Sequence, residues 1–287
     1  MSVERIDTIA ALRARLAGAR RSGTRIGLVP TMGALHKGHA TLIARAREEC
    51  DSVVVTVFVN PLQFDRPDDL ERYPRTLDAD LTLCDALGAD VVFVPSTAEM
   101  YPASPRCTIQ VTGLGDELCG RYRPGHFAGV ATVVMKLFQI VQADVAYFGE
   151  KDAQQLAIIR RLVADFNVPL TIVGVETVRE ADGVAMSSRN QHLDRCERQL
   201  AAALYQALAA ARAAIAAGTR DPAAVRAAAI AHIPADERVR LEYLDAVDPD
   251  SMQPVQRILQ PVIVAGALWV GGTRLIDNVR CAPPSLS

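Results

Sequence analysis

The sequence has no uninterrupted apolar run near the ~20 residues that a membrane-spanning helix requires. Its first residues, Met1-Ser2-Val3-Glu4-Arg5, lack the apolar segment of a signal peptide. The expectation is a cytoplasmic chain with no membrane partner. An excess of one charge is also lacking: 31 Lys and Arg against 33 Asp and Glu leave a net charge of -2. That argues against a nucleic-acid partner held by a broad basic field and leaves room only for a local patch. Cysteines are few and scattered, at positions 50, 84, 107, 119, 196 and 281, with no C-x-x-C pair. Neither a disulfide framework nor a zinc site is expected from them. Internal repeats and low-complexity linkers are missing. So are a Ser-His-Asp pattern and a Gly-x-Ser-x-Gly elbow, two usual signatures of an activated serine.

What remains is an ordinary globular balance, 50% hydrophobic and 22% charged over 287 residues. That length suggests about two domains at ~150 residues each. Helical spacing runs from Ile6 to Ala19, with Ile9, Leu12 and Leu16 on one side. Arg25–Val29 reads as a strand, Ala40–Cys50 as a helix, and Val53–Val59 as a strand apolar enough to be buried on both faces of a parallel sheet. Thr76–Leu87, Phe127–Val141 and Lys151–Asp165 read as helices, while Asp90–Pro95, Asp144–Phe148 and Leu170–Val175 read as strands. A short strand is also expected at Thr108–Thr112, followed by a glycine-rich loop, Gly113–Gly125. The alternation predicts an α/β fold, a Rossmann-like doubly wound parallel sheet over residues 1–180. The tail differs: alanine-rich helix at Glu197–Ala217, a helix begun by Asp221-Pro222, a strand at Arg238–Val247, and a hairpin around Gly271-Gly272. It predicts a smaller α+β domain over 181–287, with a short hinge near 180–190.

In a doubly wound sheet, ligands lie beyond the C-terminal ends of the strands. Four loops with chemistry fall there. Pro30-Thr31-Met32-Gly33-Ala34-Leu35-His36-Lys37-Gly38-His39 is a glycine turn leading into a helix N-terminus, a natural anion site. His36 and His39, three apart, share a face if the helix has begun by His36. The plain alternative is a turn with two surface or core histidines. Gly149-Glu150-Lys151-Asp152 places a cation where the helix dipole disfavours it, which a bound phosphate would explain. Met186-Ser187-Ser188-Arg189-Asn190 offers two hydroxyls and a guanidinium to phosphate oxygens, or else simply caps a helix. Asn60, Gln63 and Gln155 are neutral amides suited to hydroxyls and carboxylates, or ordinary loop polarity. Asp80 could take part in a magnesium site, a solvated helix face being the plain alternative.

The run from Pro30 to His39 resembles the nucleotide-binding motif of pantothenate synthetases (pantoate–β-alanine ligases). His36-Lys37-Gly38-His39 is similar to the His-x-Gly-His element of the wider nucleotidyltransferase superfamily. Asn60-Pro61-Leu62-Gln63-Phe64, Tyr73-Pro74-Arg75-Thr76, Arg123-Pro124-Gly125-His126-Phe127, Phe148–Asp152 with Gln154-Gln155, and Arg179–Gly183 running into Met186–Asn190 look like further blocks of that family, in its order. They span about 30 to 190; the tail matches in size and character only.

The resemblance implies ATP-dependent condensation of pantoate with β-alanine through a pantoyl adenylate, releasing pyrophosphate and AMP. It implies ATP contacts from Met32, Gly33, His36, Gly38, His39, Gly149, Glu150, Lys151, Asp152, Val178, Met186, Ser187, Ser188 and Arg189. His36, His39 and Lys151 would be catalytic, with His39 as proton donor. Gln63, Gln155 and Asn60 would bind pantoate and β-alanine. Magnesium would accompany ATP, with Asp80 as its candidate ligand. The family pattern also implies a homodimer, a small domain closing over the nucleotide, and a loop over the site, for which Gly113–Gly125 and Asp65–Arg72 are candidates. Ala153, where an aromatic residue is common, and Asp65-Arg66-Pro67, in place of a more glycine-rich turn, depart from the pattern. Two other readings compete: a nucleotidyltransferase acting on a phosphate acceptor, which the amides Gln63 and Gln155 oppose, and a non-catalytic ATP-binding regulator.

Overall fold

The structure, a computed structural model, describes residues 3–284. In chain order its first elements are β1 (Glu4–Ile6), α1 (Ile9–Arg21), β2 (Ile26–Thr31), α2 (Lys37–Glu49), β3 (Ser52–Val57), α3 (Pro67–Arg72), α4 (Leu77–Ala86), β4 (Val91–Phe93) and α5 (Thr97–Met100). There follow α6 (Cys119–Tyr122), α7 (His126–Val141), β5 (Val145–Gly149), α8 (Ala153–Asp165) and β6 (Thr171–Val175). The last are α9 (Arg195–Ala216), α10 (Pro222–Ile230), β7 (Val239–Val247), β8 (Val262–Val270) and β9 (Thr273–Cys281). The chain falls into two compact units. One comprises Met1–Val111, Arg123–Glu150 and Ile158–Glu176, and the other Thr112–Tyr122, Lys151–Ala157 and Thr177–Ser287. The division expected at 180/181 was a single cut. The contacts instead assign two earlier segments, 112–122 and 151–157, to the second unit.

The first unit is built on a six-stranded sheet in the order β1-β4-β3-β2-β5-β6. Every pairing is parallel. Its interior strands explain the apolar runs: Val53, Val54 and Val55 are fully buried, as a strand covered on both faces must be. Helix α1 places Leu12 and Leu16 in the core, and Thr8 caps it by accepting from the Ala11 N–H. The strand order turns back on itself at β2 and β5, which pair only through Gly27–Val145 and Leu28–Ala146. Beyond those pairs the C-terminal ends of β2 and β5 separate, and this is the switch point where such sheets take ligands.

The second unit is an antiparallel β7-β8-β9 meander, with Gly271-Gly272 at the turn between β8 and β9. Leu204, Ala207, Leu208, Ala211 and Ile215 of α9 pack with Val262, Val264, Leu268 and Val279 of the sheet in one buried cluster. The alanines let the helix lie close to the strands. Asp194 and Glu197 form a capping box at the start of α9, and Asp221 caps α10 ahead of Pro222.

The structure corrects the expected elements at three places. Residues 108–112 form no strand. Lys151 does not open a helix; it lies in a 3-10 turn, Glu150–Asp152, ahead of α8. β1, three residues long, is too short to show a period in the sequence. No helix among the described residues is long and apolar enough to cross a membrane.

Candidate active site

In the first unit, the turn after β2 is folded by a buried carboxylate. Gly33 has φ +81° and Ala34 φ +51°, so the chain turns through the left-handed region at two successive residues. Asp80, on α4 and 2% exposed, holds it there. Its Oδ2 accepts from the Ala34 N–H at 3.0 Å, and its Oδ1 from the Leu35 N–H at 2.8 Å and the Thr76 hydroxyl at 3.2 Å. A Cβ on Gly33 would lie 3.0 Å from the same carboxylate. Glycine is therefore required there both by φ and by space.

The turn delivers the two histidines to the start of α2, which begins three residues earlier than the periodicity suggested. His36 is the N-cap and His39 stands at N3. The Gly38 N–H donates to His36 Nδ1 at 3.1 Å, and the His36 N–H donates to His39 Nδ1 at 3.3 Å. This is a capping box in which imidazoles replace the usual hydroxyl and carboxylate. An Nδ1 that accepts carries no proton, so in each neutral ring the proton is on Nε2. The rings lie 4.1 Å apart between centroids. The helix start thus presents two Nε2–H donors side by side, where the dipole also favours negative charge.

Beside this turn lies the amide of Gln63, 8% exposed. Its Nε2 contacts Met32 Sδ at 2.9 Å and its Oε1 accepts from Asn60 Nδ2 at 3.1 Å. Asn60 also donates to the Gly129 carbonyl at 3.2 Å and accepts from the Tyr101 hydroxyl at 2.9 Å and the Leu62 N–H at 3.3 Å. Its two donors and its oxygen are all engaged within the protein. Asn60 was expected to touch substrate; the structure instead gives it the orientation of Gln63.

In the second unit, Lys151 is half-buried, with Nζ 3.7 Å from Asp152. Its carbonyl accepts from Asn278 Nδ2 at 2.9 Å. The neighbouring Asp277, 4% exposed, takes a two-pronged grip from Arg179 at 2.5 and 3.0 Å. Arg179 also donates to the Gly183 and Asn278 carbonyls and lies over the Tyr205 ring. Burial pushes the Asp277 carboxyl up, and Arg179 opposes it. The 179–185 hairpin sets the serine loop: Met186 N–H donates to the Val178 carbonyl, and Asn190 donates to Glu180 and to the Ala185 carbonyl. Ser187 accepts from the Arg189 N–H at 3.3 Å, so its hydroxyl oxygen also helps cap the 3-10 turn Ser188–His192. Gln155 is half-buried. Within the lid candidate Gly113–Gly125, residues 113–119 are hydrogen-bonded: Gln154 binds the Leu114 and Glu117 carbonyls and the Cys119 N–H, and Gln253 binds the Gly113 carbonyl.

The structure also revises the magnesium ligand. Both oxygens of Asp80 are occupied by the turn, and the described residues contain no group of three or more His, Cys, Asp or Glu able to hold a metal. Asp80→Ala is expected to leave the Ala34 and Leu35 N–H groups unsatisfied and to destabilise the protein by about 2 kcal/mol or more. Urea unfolding measures this; unchanged stability with weakened magnesium dependence would restore the metal role. Sequence reasoning gave no role to Arg123, His126, Gly129, Arg179, Asp277 or Asn278. All six lie in or beside polar or glycine positions of the quoted blocks or of β9, yet only their partners reveal what they do.

A parallel doubly wound sheet with a His-x-Gly-His helix start at its switch point is a Rossmann-like arrangement suited to a nucleotide. The sequence model described as Pantoate-beta-alanine ligase matches residues 4–280. A pantothenate synthetase of Moorella thermoacetica is 50% identical over 277 residues, covering 96% of this chain and 98% of that protein. A bifunctional pantoate ligase/cytidylate kinase of Thermosynechococcus vestitus is 53% identical over 277 residues; the chain spans 54% of its length. The crystal structure of a pantoate-beta-alanine ligase from Francisella tularensis, complexed with beta-gamma ATP and beta-alanine, is 32% identical over 97% of each chain, with a TM-score of 0.82. The chain belongs to the pantoate–β-alanine ligase family.

Proposed function

We propose that the chain joins (R)-pantoate to β-alanine at the expense of ATP. The pantoate carboxylate attacks the α-phosphorus, the bond to pyrophosphate breaks, and pantoyl adenylate forms. The β-alanine amine then attacks the acyl carbon, the acyl–phosphate bond breaks, and pantothenate and AMP leave with loss of a proton from nitrogen. The observation that carries this reading is the paired Nε2–H donors of His36 and His39 at a helix start, in a chain whose family model covers 4–280. Negative charge that grows on the phosphate oxygens during attack is stabilised by donors already in place, so no protein nucleophile is required.

The same proposal assigns the triphosphate to Met32, Gly33, Gly38, Lys151, Ser187, Ser188 and Arg189. It assigns the ribose to Gly149 and Asp152, the adenine to main chain near Val178 and Met186, and further nucleotide contact to Glu150. Pantoate goes to Gln63 and Gln155. His39 Nε2–H is the proton donor. Magnesium, held by the ATP phosphates and its own waters, accompanies the nucleotide; the donor set around Asp80, main-chain N–H groups and a hydroxyl, does not fit it. A cytoplasmic homodimer belongs to the same proposal, its subunit count testable by sedimentation.

The test is pyrophosphate release from ATP on adding pantoate alone, followed by AMP and pantothenate on adding β-alanine. Pyrophosphate released only with a phosphorylated acceptor would indicate the other nucleotidyltransferase reading. ATP binding without pyrophosphate release under either condition would indicate a regulator.

A further inference from the structure

The short 3-10 turn Pro61–Gln63 is gripped from one side by a segment that has no assigned role. The Gln63 main-chain carbonyl accepts from Arg123 Nη2 at 3.1 Å and is 2.7 Å from His126 Nδ1. A carbonyl oxygen only accepts, so Nδ1 carries a proton. His126 Nε2 lies 3.2 Å from Arg123 Nη1, which only donates, so Nε2 is the acceptor and the ring is neutral. Arg123 is fixed in turn by Asp65, whose Oδ1 accepts from Nε at 2.9 Å, with side chains 13% and 23% exposed. One turn further along α7, Gly129 completes the grip. Its carbonyl accepts from Asn60, and a Cβ there would lie 2.2 Å from the Leu62 carbonyl oxygen. The Gln63 turn therefore rests against bare backbone on α7 and hangs from a clasp of Asp65, Arg123 and His126.

We propose that Arg123 and His126 are positioning residues for the substrate-binding amide of Gln63, with His126 acting as a neutral ring protonated on Nδ1. This rests on the reading of Gln63 as the pantoate contact. The amide is already fixed by Asn60 and Met32, so its remaining freedom is that of its main chain, which the clasp removes. A displacement of about 1 Å at such a group is enough to reduce productive binding severely. Arg123 and His126 are 60 and 63 residues from Gln63 in sequence.

The experiment compares His126→Phe, which keeps ring volume but has no donor, with His126→Asn, whose amide nitrogen can replace Nδ1–H. KM for pantoate, KM for ATP, kcat and thermal unfolding are measured for both and for the unaltered enzyme. The expected result is a rise in pantoate KM of about tenfold or more in His126→Phe, the factor that follows from one lost hydrogen bond of ordinary strength. ATP KM stays within about twofold, and His126→Asn recovers most of the loss. Equal rises for pantoate and ATP, or equal damage from Phe and Asn, overturn the inference. If His126→Phe does not fold, Arg123→Gln, which keeps a donor but frees Asp65, must show the same selective rise; a normal pantoate KM there also overturns it. Failure of the unaltered enzyme to release pyrophosphate with pantoate rejects the functional reading itself, an outcome separate from any variant's behaviour.

Discussion

His39→Ala is expected to lower turnover by about 10²–10³-fold, the usual loss when one preorganised donor to developing charge is removed. ATP affinity should fall by less than tenfold, because His36, the helix start and the other groups that the proposed function assigns to the triphosphate remain. The geometry predicts that two functions are lost together in this variant. His39 Nδ1 accepts from the His36 N–H as half of the capping box, and its Nε2–H is the donor that the proposed function uses. Losing the cap alone costs about 1 kcal/mol of stability. His39→Asn separates the two. Its side-chain oxygen can still accept from His36, while nothing replaces Nε2–H. That variant should unfold at nearly the parental temperature and yet be as slow as His39→Ala. Single-turnover pyrophosphate release gives the rate, calorimetry with ATP gives the affinity, and thermal unfolding gives the cap. Equal losses of rate and ATP affinity would make His39 a binding residue only. Full activity in His39→Asn would mean that capping is its whole contribution.

The sheet was legible because its strands are buried on both faces. Val53–Val59 could only be read as an interior parallel strand, and Val53, Val54 and Val55 are fully buried. The His-x-Gly-His turn was legible as local chemistry, since glycines, histidines and a helix start are adjacent in sequence. What was not legible is whatever acts at a distance. Asp80 read as a solvated helix residue or a metal ligand. Its true partners, the Ala34 and Leu35 N–H groups, are 46 and 45 residues away. Asn60 and Gln63 look alike in a loop. Only the structure shows Asn60 engaged on every side, with Gln63 held by Asn60 and Met32. The periodicity also placed the start of α2 at Ala40, because imidazoles at N-cap and N3 are not among the residues that usually mark a helix start.

The second large effect is expected from Asp277→Ala, a residue that no motif marks. Asp277 is 4% exposed and receives both Arg179 bonds and the Asn278 N–H. Truncating it leaves a guanidinium, itself only 20% exposed, without its carboxylate. Breaking one side of a buried pair in this way costs about 3–5 kcal/mol, far more than the pair contributes relative to two apolar residues. Arg179 would still have the Gly183 and Asn278 carbonyls and the Tyr205 ring, so the lower half of that range is the better expectation. Asn278 follows Asp277 on β9 and donates to the Lys151 carbonyl, so disturbance of the pair reaches the lysine that the proposed function places on the triphosphate. Arg179→Met combined with Asp277→Leu distinguishes stability from alignment. The apolar pair should regain most of the lost unfolding free energy, measured in urea, because no charge is left buried. It should not regain the parental ATP KM, because the Lys151 turn has lost the polar frame that fixes Asn278. Recovery of both would make the Arg179–Asp277 pair a packing element with no part in placing Lys151. Recovery of neither would show that the apolar replacements do not fit the space, and Asp277→Asn, which keeps shape and one acceptor, then decides. A normal ATP KM in that variant removes the charge of Asp277 from any role in holding Lys151.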